Sequence, residues 1–200
     1  MCGTADTVFF TVERDGDDIG PKAGFGDVGI DHDTAAFAAA SIRGWWRFEG
    51  RRIYPEAKTI LITADADGSN GWRLRLWKLE LQKFADQTGL CISLCHFPPG
   101  TSKWNKIEHR LFPFLSSNGR GEPLRDYETI VHLIARTILA EGLKVTCRSD
   151  RRKYPTGREV SAEEMKWVNL EPNQFSWRME PCHQAENPKD RLIPLFIYTC

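Results

Sequence analysis

The spacing of apolar residues changes several times along the chain, and each spacing is typical of one kind of secondary structure. Short apolar runs bounded by Gly, Pro or Asp predict strands at 7–12, 23–30, 60–64, 90–97 and 144–147. Apolar residues three or four apart predict helices at 34–49, 71–87, 104–115 and 126–141, and Ser161 to Glu164 form a capping box for a short last helix. This alternation of strands and helices predicts a three-layer α/β domain.

Two of the predicted helices have clear inner faces and end signals. Asp33 is expected to cap the first helix, and Ser69 or Asn70 the second, while Gly50 and Gly89 follow their last turns. The predicted buried stripes are Phe37, Ser41, Trp45 and Phe48 on the first helix and Leu74, Trp77, Leu81 and Phe84 on the second. After about residue 175 the pattern loses its period, which predicts a loose tail over 176–200.

Length and composition set broad limits. The 200 residues, 41% of them hydrophobic, are enough for one domain or one domain with an appendage. No run approaches the roughly 20 apolar residues that a membrane span needs, and the N-terminus has neither a basic start nor an apolar signal segment, so we expect a cytoplasmic protein with no membrane partner. The formal net charge is +0, so composition alone does not favour nucleic acid.

The six cysteines do not predict a disulfide framework in a chain of this length. Cys91 and Cys95 lie four apart on a predicted strand, where they share a face. Buried reduced thiols are the ordinary interpretation, and a zinc site is the less favoured alternative.

Two carboxylates from distant segments form the main candidate site. Asp65 ends a predicted strand, and Glu108 lies on a predicted helix that follows a Pro-Gly loop. Ligand-binding groups of α/β sheets gather at the carboxyl ends of strands. Carboxylate oxygens bind hard cations such as Mg²⁺, and two such ions can clamp the oxygens of a phosphodiester during its displacement. A third carboxylate is expected in such a site.

Each candidate also has a purely structural interpretation. Asp65 could form a hydrogen bond within its own turn, although Asp67 suits that role better. Glu108 could form an ion pair with a neighbouring Lys or Arg. The loop before Glu108 could hold a phosphate backbone with Lys103 while Trp104 stacks, or it could only connect a strand to a helix. The sequence Asp31-His32-Asp33 suggests a metal cluster, but a turn and a helix cap explain it more simply.

Several segments together resemble the Rhodopirellula-type DDE transposases of bacterial insertion sequences. They are the residues 29–38, 61–65, 68–71 and 95–112, the last reading Cys-His-Phe-Pro-Pro-Gly-Thr-Ser-Lys-Trp-Asn-Lys-Ile-Glu-His-Arg-Leu-Phe. The similarity covers about residues 18–175 and implies a ribonuclease H-like domain. It implies that Asp65 and Glu108 are the second Asp and the Glu of the triad, and that two Mg²⁺ or Mn²⁺ ions support DNA cleavage and strand transfer.

The resemblance also shows departures. The family's first Asp lies on a strand upstream of residue 18, and neither Asp6 nor Asp15 has a matching context. Ala66 and Asp67 stand where the family has glycines. The implied organisation is an unmatched segment 1–17, a partial catalytic domain 18–175 whose N-terminal strands are incomplete, and an unmatched tail 176–200.

The resulting prediction is a truncated DDE transposase whose catalytic activity as a single chain is in question. Asp65 and Glu108 are the expected catalytic and metal-binding residues, and Lys103, Trp104 and Arg110 are candidates for DNA contact. The expected partners are the DNA ends of the element and a full-length transposase. The alternative is a non-enzymatic remnant that at most binds DNA or a full-length transposase.

Overall fold

The computed structural model describes residues 7–12, 23–98, 127–135, 145–172, 177–179 and 192–199, and these residues form a mixed α/β structure. Its strands are β1 (Thr7–Val12), β2 (Ala23–Gly29), β3 (Thr59–Ala64), β4 (Cys91–His96), β5 (Val145–Asp150), β6 (Leu170–Pro172), β7 (Trp177–Met179) and β8 (Leu192–Thr199). The first five were predicted from the sequence, and their positions are confirmed. The three-layer arrangement stays a prediction.

The eight strands form one sheet in the order β5-β2-β1-β8-β3-β4-β7-β6. β3 is parallel to β4 and to β8, and β2 is parallel to β5. β1 is antiparallel to both of its neighbours, β2 and β8. The five strands β2, β3, β4, β5 and β8 therefore run in one direction, and their carboxyl ends lie at one edge of the sheet.

The first helix, α1 (Ala35–Trp45), begins one residue later than expected. Its N-cap is Thr34, whose Oγ1 accepts the backbone N–H of Phe37 at 3.2 Å, so the assignment of the cap to Asp33 is wrong. Phe37, Ser41 and Trp45 are buried as predicted. A π-helical turn (Trp46–Gly50) follows and leads into the short α2 (Arg51–Ile53). The wider turn rotates the later residues, and Phe48 is 63% exposed rather than buried.

The second long helix, α3 (Arg75–Thr88), packs against α1. Trp77, Leu81 and Phe84 are fully buried, whereas the predicted stripe residue Leu74 is the exposed N-cap. Neither Ser69 nor Asn70 caps this helix, because both lie in a separate 3₁₀ turn (Gly68–Asn70). Gly89 ends α3 with a left-handed φ of 74°, as its position predicted.

Two further helices are described. α4 (Tyr127–Ala135) covers part of the predicted helix 126–141 and packs against β5 and β2. α5 (Ala162–Met165) begins with the predicted capping box, in which Ser161 and Glu164 bond each other's backbone N–H. The predicted helix 104–115 lies outside the described residues.

The last strand differs from the loose tail predicted for its segment. β8 (Leu192–Thr199) lies in the interior of the sheet between β1 and β3, and Leu195 is 0% exposed within the core. The lack of a clear period misled the prediction, because a nearly continuous apolar run such as that of β8 shows no alternation.

Candidate functional site

Asp65 lies at the sheet edge where the five parallel-running strands end. It directly follows β3, and the register of β3 with β4 pairs Ala64 with His96. The carbonyl of Ala64 accepts the backbone N–H of Phe97 at 2.9 Å, which holds the two strand ends together. Asp65 is half-buried, and its Oδ1 is inaccessible to solvent. The predicted placement of Asp65 at a strand's carboxyl end is confirmed.

Three polar side chains beside Asp65 have buried atoms without hydrogen-bond partners in the described part of the chain. These atoms are Oγ of Ser69, both amide atoms of Asn70, which is 1% exposed, and Nδ1 of His96. Buried polar groups are almost always satisfied, because leaving one unpaired costs about 1–3 kcal/mol. Such a concentration at one edge indicates a site that takes a polar ligand.

His96 is fixed in orientation at this site. Its Nε2 donates to the carbonyl oxygen of Asn70 at 2.9 Å, which leaves the lone pair of Nδ1 available. Burial lowers the pKa of the His96 imidazole; the Asn70 carbonyl opposes this shift and the charge of Lys78 adds to it. His96 is therefore neutral near pH 7. The sequence pattern predicted a helix cap at Ser69 or Asn70 and no role for His96, although all three residues lie in the motifs that carry the family resemblance.

The described residues do not make up a metal site by themselves. Within the described ranges no group of three His, Cys, Asp or Glu side chains is placed to hold a metal ion. Asp65 and the orphaned amide oxygen of Asn70 are suitable hard ligands, but one carboxylate is too few for two divalent ions. Glu108, Lys103, Trp104 and Arg110 lie outside the described residues, so their roles stay predictions.

A cluster of charged and polar side chains lies where β5 ends. Its hydrogen bonds hold the segment after that strand in place. Arg152 and the hydroxyl of Tyr154 both donate to the carboxylate of Asp150, the latter at 2.6 Å. Burial alone would raise the pKa of Asp150, but these hydrogen bonds and the charge of Arg152 lower it to about 2. Asp31 accepts the backbone N–H of Tyr154, so this carboxylate holds a loop together.

Deeper in the same region, Arg148 forms an ion pair with Asp27 at 2.6 Å. Asp27 is 0% exposed, and burial together with the Asp27 charge raises the pKa of the nearby Cys147 thiol to about 12. The pair adjoins a cavity of about 350 Å³. The cavity is lined by Ala40, Arg43, Gly44, Arg47, Phe48, Arg148, Ser149, Asp150 and Arg152.

The fold and the edge site define an α/β domain with a carboxylate at the end of a central strand. A family model described as the Rhodopirellula transposase DDE domain matches residues 17–180, and the chain belongs to this family. The resemblance stated from the sequence motifs is confirmed. No curated protein and no solved structure matches the chain.

The family gives the chain a transposase-related function, with DNA as the expected partner and divalent metal dependence as a general property of the family. In the described part of the chain, no helix is both long enough and apolar enough to cross a membrane.

Proposed function

We propose that this chain carries a ribonuclease H-like DDE domain in which Asp65 and Glu108 are the metal-binding carboxylates. The observation that supports this most strongly is the position of Asp65, at the carboxyl end of β3 and beside the orphaned polar atoms of Ser69, Asn70 and His96. All four residues, and Glu108, lie inside the segment that matches the family. The substrate is the DNA at the ends of an insertion sequence.

The ions would be Mg²⁺ or Mn²⁺, because carboxylate and amide oxygens are the ligands that hard cations prefer. Lys103 and Arg110 would contact phosphates, and Trp104 would stack on a base. Within the described residues no group of three His, Cys, Asp or Glu side chains is placed to hold a metal ion, and the resemblance leaves the first Asp of the triad without a counterpart, so we infer that this chain binds cations weakly and does not carry out strand transfer alone. That the chain is a truncated form stays a prediction from the resemblance.

Mn²⁺ binding to the full chain, followed by electron paramagnetic resonance or calorimetry, tests the assignment. Asp65→Asn and Glu108→Gln should each reduce Mn²⁺ affinity at least about tenfold, since charge count at the site controls affinity for hard cations. Asp67→Asn is the matched control, because Asp67 is exposed two residues away. Equal affinity in wild type, Asp65→Asn and Glu108→Gln would refute the assignment.

A second candidate function is that of a non-enzymatic chain that binds DNA or a full-length transposase. The lack of a group of three candidate metal ligands among the described residues favours it. The chain would then bind DNA with the same affinity in Mg²⁺ and in a chelator, and binding would fall with salt as phosphate contacts do. A gel-shift titration under both conditions distinguishes the two candidates.

A further inference from the structure

The cavity beside β5 has a strongly basic lining. Its volume is about 350 Å³, and it is lined by four arginines, Arg43, Arg47, Arg148 and Arg152, but by one carboxylate, that of Asp150. The formal net charge of the whole chain is +0, so this excess of positive charge is local and not a property of the composition. Arginine suits phosphate recognition, because its planar guanidinium donates two parallel hydrogen bonds to phosphate oxygens.

The cavity is separate from the Asp65 site. Arg148 and Asp150 belong to β5, whereas Asp65 follows β3. In the sheet order these two strands are four spacings apart, which at roughly 4.8 Å per spacing is about 19 Å along the sheet. The other wall of the cavity comes from α1 and from the π-helical turn that follows it. A ligand in the cavity therefore lies apart from the candidate metal ligands.

Two of the arginines are held by buried carboxylates that do not line the cavity. Nη2 of Arg148 donates to Asp27 at 2.6 Å, and Nη2 of Arg43 donates to Glu80 at 3.2 Å. Neither arginine forms a hydrogen bond through Nη1 to the described residues, and the Nε of each is also without a partner there. Since a guanidinium has five N–H donors, the two pairs fix the arginines in position and still leave donors for a ligand.

Gly44 allows Arg148 to lie close against α1. A Cβ at this position would overlap the guanidinium of Arg148. Glycine is unfavourable inside a helix, and the backbone of Gly44 does not have a positive φ that would require it. The close approach of the guanidinium explains the glycine, so the sequence of α1 is adapted to a charged wall of the cavity.

The π-helical turn brings a cation and an aromatic ring to the same cavity. Arg47 is exposed and pairs with no carboxylate among the described residues. Phe48 is 63% exposed, and the guanidinium of Arg148 lies 5.5 Å from the centroid of its ring. π-helical turns are rare and frequently lie at functional sites. An exposed aromatic ring beside cations is the arrangement on which nucleic-acid bases stack.

The size of the cavity fits a ligand larger than a phosphate ion, because small-molecule pockets have volumes of about 300–1,000 Å³. We propose that the cavity binds a nucleotide unit, with its phosphate on the arginines and its base on Phe48. The unit belongs either to a nucleic-acid strand or to a free nucleotide, since both present the same phosphate and base. Binding through arginine needs no metal ion, so the inference does not rest on the proposed role of Asp65.

Isothermal titration calorimetry of the full chain in a chelator tests the inference with deoxyadenosine 5′-monophosphate, deoxyadenosine and inorganic phosphate. The monophosphate should bind at least about tenfold more tightly than either of the other probes, because only the monophosphate makes both contacts. Arg47→Ala should weaken binding of the monophosphate at least about tenfold, since it removes a charged donor. Phe48→Leu should weaken it at least about fivefold, since it removes the stacking surface.

Arg52→Ala and Trp167→Leu are the matched controls. Arg52 is an exposed arginine on α2, Trp167 is 74% exposed, and neither lines the cavity. Both variants should bind the monophosphate as the unsubstituted chain does, and so should Asp65→Asn. Circular dichroism and thermal melting establish that each variant is folded, which we expect because Arg47 and Phe48 are exposed.

Three results would overturn the inference. The first is no binding of the monophosphate, or equal affinity in the unsubstituted chain, Arg47→Ala and Phe48→Leu. The second is binding of inorganic phosphate as tight as that of the monophosphate, since the base would then make no contact. The third is a loss in Asp65→Asn equal to that in Arg47→Ala, since the nucleotide would then lie at the other site.

A fluorescently labelled single-stranded hexadeoxyadenylate, followed by anisotropy, separates the two sources of the nucleotide. If the unit belongs to a strand, the oligonucleotide binds more tightly than the monophosphate, the monophosphate displaces it, and Arg47→Ala and Phe48→Leu weaken both. If the unit is a free nucleotide, the monophosphate binds more tightly and the oligonucleotide does not displace it. The Mn²⁺ experiment on Asp65 and Glu108 is independent of these outcomes, so this inference and the proposed function can fail separately.

Discussion

At the scale of single residues, the carboxylate of Asp150 makes the stability of the folded protein depend on pH in the acid range. Its side chain is only 4% exposed, and hydrogen bonds from Arg152 and Tyr154 hold its pKa at about 2, below the ordinary value of 3.8. A carboxyl with a lowered folded-state pKa stabilises the protein above its unfolded pKa, and this contribution is lost as the pH falls from about 4 to 2. Because Arg152 is largely exposed, we expect a loss of about 1–2 kcal/mol.

Chemical denaturation at several pH values between 2 and 6 checks this expectation. Asp150→Asn should flatten the dependence in that window, whereas Glu163→Gln, in an exposed pair with Lys166, should leave it unchanged. An unaltered pH profile in Asp150→Asn would show that other carboxyls cause the acid sensitivity.

The buried pair of Asp27 and Arg148 predicts a larger effect. Arg148→Ala leaves the fully buried Asp27 without its partner, and an uncompensated buried charge typically costs about 3–5 kcal/mol. Arg151→Ala is the matched control, because Arg151 pairs with Glu128 at the surface, where both side chains are 73% exposed. Urea denaturation should separate the two variants by at least about 2 kcal/mol; equal stabilities would mean that water or another group compensates Asp27.

Some residue roles were predictable from the sequence, and others depended on contacts between distant segments. Asp65 was found because a carboxylate at the end of an apolar run is a local signal. Asn70 and His96 were missed because their importance comes from the hydrogen bond that joins them across distant segments, which the pairing of β3 and β4 makes possible. The cap was assigned to Asp33 instead of Thr34 because both residue types cap helices, and a shift of one residue is invisible in the pattern.

At the scale of elements, α1 is seated on β2 through a glycine. A Cβ on Gly29 would lie 2.8 Å from the ring of Phe37, and Phe37 is fully buried. Gly29→Ala should therefore push α1 away from β2 and cost about 1–3 kcal/mol, as overpacking of a core does. Ile30→Ala, at the next and exposed position, is the control and should change the melting temperature little. A melting temperature equal to wild type in Gly29→Ala would show that Phe37 can move freely.

The buried faces predicted for the helices were confirmed only in part. Phe37, Ser41 and Trp45 follow the period of 3.6 residues, so their burial was predictable. The π turn at Trp46–Gly50 adds a residue to one turn and moves Phe48 out of register. The apolar pattern does not predict such a turn, because the turn depends on how Trp45 and Trp46 pack beside Gly50.

At the scale of the whole molecule, the alternation of strands and helices predicted a mixed α/β structure, which is confirmed. The sheet order was not predictable, because β8 pairs with β3 across more than a hundred residues of sequence. Local periodicity contains no information on such a pairing, and a proline such as Pro194 is unusual in an interior strand. The element order was thus predictable from the sequence, whereas the sheet order depends on pairings between distant segments.

The last prediction concerns activity of the whole chain. With Mg²⁺ or Mn²⁺, the purified protein should show no strand transfer on DNA that carries the ends of the parental element. Within the described residues no three candidate ligands for a metal ion come together, and ions held by an incomplete set of ligands would be misplaced, which matters because small errors in geometry reduce rates by large factors. Transfer is measured by the joining of a labelled end to a target plasmid. Robust joining that Asp65→Asn or Glu108→Gln abolishes, and Asp67→Asn does not, would contradict this prediction and mean that a further carboxylate completes the site at Asp65.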